Sequence, residues 1–163
     1  MNKKLLVIFV STLFVLIAVD IVVADDSAVI TIPMNNDATA EIDVTPGNWT
    51  PTAGVGANES TGTGGFFTIY NNGTLMVDVE IAGEDAAWWG LSVDGNPSHD
   101  FFGLKYRLTT IGTWNTINSL PSTFIDDFAR DGVKGFDLWL FMPTSTSTSG
   151  FQATNVTFTV SAA

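Results

Sequence analysis

The chain has 163 residues, one histidine, no cysteine, and 17 acidic against 6 basic side chains, for a formal net charge of −11. That surplus of acid repels nucleic acid and anionic lipid surfaces, both of which are held by clustered Lys and Arg. The lack of cysteine excludes a disulfide framework and a thiol nucleophile, and a charged fraction of only 14% excludes a disordered acidic tail.

Residues 1–24 read as a secretory signal. Lys3 and Lys4 precede an apolar run from Leu5 to Val19, and Val22 and Ala24 stand at the −3 and −1 positions of a cleavage site. The stretch from Leu5 to Val23 is nearly long enough to act as a membrane anchor. Asp20 and the small-residue site favour cleavage, which would leave an extracellular chain with no membrane segment. Removing Lys3, Lys4 and Asp20 leaves four basic against sixteen acidic side chains in residues 25–163. That length is enough for one domain with its own core.

After the signal, short segments with a period of two dominate. Ala28, Ile30 and Ile32 alternate with Val29 and Thr31 and stop at Pro33. Residues 25–37 are therefore expected to form an N-terminal strand and its joint, and residues 38–163 the main domain. Within that domain, Ala40-Ile42-Val44, Leu75-Val77-Val79-Ile81, Leu104-Tyr106-Leu108, Phe136-Leu138-Leu140-Met142 and Val156-Phe158-Val160 each form an apolar row. One face in and one face out, repeated with turn residues between, predicts an all-β antiparallel sandwich of the Ig-like or jelly-roll type. Asn72-Gly73 is expected to close a hairpin between the two segments around it. In residues 122–132, Ser122 as a cap, Phe124 and Phe128 on one face, Asp126 paired with Arg130 and a terminal Gly132 predict one short helix. The Thr- and Gly-rich stretches 50–65 and 144–150 read as loops.

Four N-glycosylation acceptors occur, at Asn48, Asn58, Asn72 and Asn155, while Asn96 is excluded by Pro97. On an exported chain Asn58 and Asn72 are the favoured positions. Signals for catalysis are poor. His99 lies in a polar loop, Asp126-Asp127 and Glu84-Asp85 are sequence neighbours rather than opposed carboxylates, and neither HExxH nor a phosphate loop occurs. No cofactor is expected. The best metal candidate is "DGNPSHD", where Asp94, Asn96, Ser98 and Asp100 offer oxygen donors of the kind calcium takes. The glycine and glutamate that complete an EF-hand loop are replaced by His99 and Lys105, so a plain hairpin loop is the favoured reading. Five tryptophans raise a second possibility, a carbohydrate-binding face built on Trp88 or Trp89. Trp139 and Phe141 share the face opposite Phe136, Leu138 and Leu140, so that strand is either central and covered on both sides or buried by another subunit.

The segments "AVITIP", "ATAEIDVTPGNW", "GFFTIYNNGTLMVDVEIAGEDAAWWGLS" and "GFDLWLFMPTSTSTSGFQATNVTFTVSA" resemble secreted prokaryotic Ig-like sandwiches. The group they most resemble is the subunits of extracellular matrix filaments, the TasA/camelysin-like proteins and archaeal bundling pilins. The resemblance implies a homopolymer in which the N-terminal strand of one subunit completes the sandwich of the next. That role would fall on residues 25–33, with Ala28, Ile30 and Ile32 as the contact row and residues 34–37 as the joint. A protease role attached to that group is not carried over, because HExxH is missing. Two functions therefore stand against each other: a structural subunit of an extracellular filament or cell-surface matrix, and a monomeric carbohydrate-binding module.

Overall fold

A computed structural model describes residues 38–163, which belong to one compact unit, Asn36–Ala163. The signal segment and the row Ala28, Ile30 and Ile32 lie outside the described residues. Ten strands form: β1 (Ile42–Thr45), β2 (Asn58–Ser60), β3 (Phe67–Asn71), β4 (Val77–Gly83), β5 (Gly90–Leu91), β6 (Phe101–Leu108), β7 (Asn115–Ile117), β8 (Ser122–Phe128), β9 (Val133–Phe141) and β10 (Val156–Ala162). No helix is present among the described residues.

The strands form two sheets. The larger runs β1-β3-β9-β6-β5, with β2 beside the second half of β9 and β7 beside β6. The smaller runs β10-β4-β8. All pairs are antiparallel except β5 with β6. The sheets meet face to face. Phe124 of β8 lies edge-on to Phe136 of β9 with ring centroids 5.2 Å apart, and Phe158 of β10 sits 5.5 Å from the same Phe136. Ile69, Val77, Val79, Ile81 and Ile117 are fully enclosed between the sheets. The apolar rows read from the sequence thus form the core of a sandwich-like all-β fold.

Two expectations are corrected. Residues 122–132 form strand β8 and a turn, not a helix. Opposite β4, the register of β8 slips twice: Val79 faces Ile125 while Glu80 faces Thr123, and Val77 faces Phe128. The first slip turns both Phe124 and Ile125 inward, and the second turns both Asp126 and Asp127 outward. Two bulges in a strand therefore set Phe124, Ile125 and Phe128 inward with Asp126 and Asp127 outward, a pattern that imitates one face of a helix. Arg130 pairs with Asp131 at 3.2 Å, and the Ser122 hydroxyl donates to the Ile81 carbonyl.

The second correction concerns Asn72-Gly73, which closes no hairpin. β3 pairs with β1 and β9 while β4 pairs with β10 and β8, so the turn carries the chain from one sheet to the other. Neither Asn72 nor Gly73 has the positive φ of the expected turn type. The hub of this crossover is Asn71, which is 1% exposed. Its Nδ2 donates to the carbonyls of Leu75, Phe128 and Ala129 at 2.9, 2.9 and 3.1 Å, and its Oδ1 accepts from Gly73 N–H at 3.0 Å. One side chain thus satisfies backbone groups where the crossover and the β8–β9 turn leave them unpaired.

On the outer face of the larger sheet, loop 61–66 is pinned by a buried carboxylate. Asp137 of β9 accepts from Phe66 N–H at 2.9 Å, from Gly65 N–H at 3.1 Å and from the Arg107 guanidinium at 3.2 Å. Burial pushes the Asp137 carboxyl up, but these donors outweigh it and hold the group below its ordinary value.

Candidate functional site

The feature with functional potential is a groove of about 600 Å³ within the sandwich. On one side it is bounded by β1 and the segment 46–53 that follows, on the other by the start of β10 and residues 150–155. Its floor is the apolar row Phe136, Leu138 and Leu140 of β9, continued by Met142 just past the strand, and Val44, Val156 and Phe158 form the walls.

The groove exists because both strands at its rim are edges. β4 lies between β10 and β8, and its inward residues Val77, Val79 and Ile81 are all 0% exposed. The inward residues of β10, namely Val156, Phe158 and Val160, alternate just as strictly but are only half-buried, as are Ile42 and Val44 of β1. Among the described residues, β10 pairs with β4 alone and β1 with β3 alone. Among the described residues, the outer backbone N–H and C=O groups of each edge therefore have no ladder partner. Thr52 anchors the outer wall, donating its N–H to Glu59 Oε2 at 2.7 Å. Chemically, the site sets the inward apolar residues of β9 and β10 beside a strand edge that no other described strand covers, a surface whose period of two matches that of an extended segment.

The sequence-predicted residues disperse around the molecule. Asn48 and Asn155 line the groove, and the Asn155 Nδ2 donates to Glu84 Oε2 at 3.1 Å. Asn58 and Asn72 are exposed and stand apart from it. The calcium candidates are engaged locally. Asp94 accepts from the Ser92 hydroxyl at 2.6 Å and from Asn96 N–H at 3.0 Å, and these bonds hold its carboxyl down at about 2. Asp100 turns instead to the β9–β10 loop, accepting from Ser147 N–H and hydroxyl at 2.7 and 2.6 Å, which lowers its pKa. Among the described residues no group of three or more His, Cys, Asp or Glu stands close enough to hold a metal ion. His99 is exposed, and its Nδ1 lies 3.0 Å from the Asp100 carboxylate.

The two consecutive tryptophans separate. Trp89 is buried and gives its indole N–H to the Thr146 hydroxyl at 2.9 Å, whereas Trp88 is 67% exposed. β9 is central, and its outer aromatics are partly covered within the chain: Trp139 lies 5.2 Å from Trp114 and 4.5 Å from Phe141. The groove residues were legible as inward-facing rows. That the rows of β9 and β10 lack cover on one side was not legible, because alternation reports which face is apolar and not what lies against it.

No protein-family model, curated protein or solved structure matches the chain.

Proposed function

We propose that this chain is a structural subunit of an extracellular filament, pilus or cell-surface matrix, with an Ig-like sandwich completed by a strand from a neighbouring copy. The observation that supports this reading is the groove, where the half-buried row of β10 borders a strand edge with no partner among the described residues. The donated segment is residues 28–33. Six extended residues reach about 20 Å, close to the length of β10. Ala28, Ile30 and Ile32 then form the row that enters the groove. Burying each isoleucine is worth about 2–3 kcal/mol, and each new ladder bond adds about 1 kcal/mol. Export of the chain after cleavage at Ala24 places assembly outside the cell and leaves it independent of disulfides and cofactors.

The test uses two variants of the full chain and negative-stain microscopy. Ile30→Asp with Ile32→Asp removes the donor, and Met142→Lys blocks the acceptor groove. Each alone is expected to give folded subunits without filaments. Mixed together, they are expected to form dimers and no longer species, since one intact donor meets one intact groove. Filaments from the donor variant would overturn the proposal. Unfolding of the donor variant would show that the strand belongs to its own domain.

A second reading, a monomeric carbohydrate-binding module, rests on Trp88 alone because Trp89 is enclosed. It predicts that polysaccharide-affinity gels retard the wild type and not Trp88→Ala.

A further inference from the structure

The outer face of the larger sheet carries an aromatic ladder that the groove does not use. Trp114, Trp139 and Phe141 follow one another at ring separations of 5.2 and 4.5 Å. On the β6 side, cations cover the ladder: the Arg107 guanidinium lies 4.9 Å from the Trp114 ring and Lys105 Nζ 5.1 Å from the Phe141 ring. On the β2 side stands Asn58, directly opposite Phe141 in the antiparallel register, with Ser60 opposite Trp139. The Trp139 indole N–H donates to Asn58 Oδ1 at 3.1 Å. This bond orients the carboxamide through its oxygen and leaves Nδ2 unengaged among the described residues. Asn58 and Ser60 are both exposed and are the first and third residues of an Asn-Glu-Ser acceptor. Asn155, in contrast, has its Nδ2 bound to Glu84.

We propose that Asn58 carries an N-linked glycan whose first sugar ring packs on the Trp139–Phe141 face. The modification rests on the export reading above, and its donor is a lipid-linked sugar phosphate supplied by the exporting cell. The Asn58 Nδ2 forms a bond to the anomeric carbon and loses one proton, while the carbon–oxygen bond to phosphate breaks and the lipid phosphate departs with that electron pair. Oδ1 is unchanged, so the bond from Trp139 survives the modification and keeps the new linkage beside the rings. The apolar C–H face of a sugar then covers aromatic surface that the chain itself buries only in part.

Ser60→Ala tests this cleanly, because it abolishes the acceptor while leaving Asn58 and its bond to Trp139 in place. Protein recovered from the cells that make it is expected to yield a glycosylated Asn58 peptide by mass spectrometry. Ser60→Ala is expected to lower Tm by roughly 3–5 °C and Ser60→Thr to leave it unchanged. In a Phe141→Leu background the Ser60→Ala shift should fall below about 1 °C, and it should vanish in protein made in a host without glycosylation. A bare Asn58 on protein found outside the cell overturns this proposal and leaves the filament reading standing. An occupied Asn58 with the same shift in both backgrounds overturns the packing. A chain retained inside the cell overturns the export reading along with it.

Discussion

Asn71 and Asp137 are the polar side chains that the fold can least do without, and both act on backbone. Asn71 closes the crossover between sheets with four hydrogen bonds from a site 1% exposed. Asn71→Ala would strand those carbonyls away from water, and urea unfolding is expected to show a loss of about 3–4 kcal/mol. Asp137 is fully enclosed with Arg107 as its ion-pair partner, so Asp137→Asn leaves that cation uncompensated at a cost of about 3–5 kcal/mol at pH 7. Because the folded carboxyl is held below its ordinary value, its stabilisation is complete above the unfolded pKa near 3.9 and is lost as pH falls through the folded one. Urea titrations at pH 7, 5 and 3 should therefore show the gap between wild type and Asp137→Asn holding from 7 to 5 and narrowing at 3.

At the scale of the element, β8 carries the most information. Its second bulge places Asp127 at φ 49°, a left-handed conformation that Asp tolerates and a β-branched residue does not. Asp127→Gly is expected to be neutral or slightly stabilising, and Asp127→Val to cost about 1–2 kcal/mol by the same unfolding assay. The bulges explain why this segment resembles a helix in sequence: each inserted residue shifts the period of two by one, so the inward residues fall at Phe124, Ile125 and Phe128, as on a helical face. β10 illustrates the opposite case. Its alternation was fully legible and its strand state followed, yet its place at the rim of the sheet depends on which strands lie on either side.

For the whole molecule, the acid surplus would oppose the proposed assembly of like-charged subunits, and apolar burial in the groove would favour it. Surface repulsion is screened over about 8–10 Å at physiological salt, whereas apolar burial in the groove is not weakened. Light scattering is therefore expected to show polymerisation of the full-length protein accelerating as NaCl rises from about 10 to 150 mM. A rate that falls with salt would mean that ion pairs, not the apolar strand, hold the subunits together.

The order of apolar and polar residues by itself determined that residues 38–163 are built mainly of strands, where β1, β4, β6, β9 and β10 run and which face of each turns inward, because a strand's period of two is a local property of the backbone. The same order placed the acceptor Asn58-Glu59-Ser60 and the row Phe136-Leu138-Leu140-Met142. Only the tertiary structure decided that Asn72-Gly73 crosses between sheets, that Trp139 reaches the Asn58 carboxamide, and that β1 and β10 stand at the rim of a groove. Those outcomes depend on which strands become neighbours, and pairing is set by packing between segments as distant as Asn58 and Phe141, which no local pattern records.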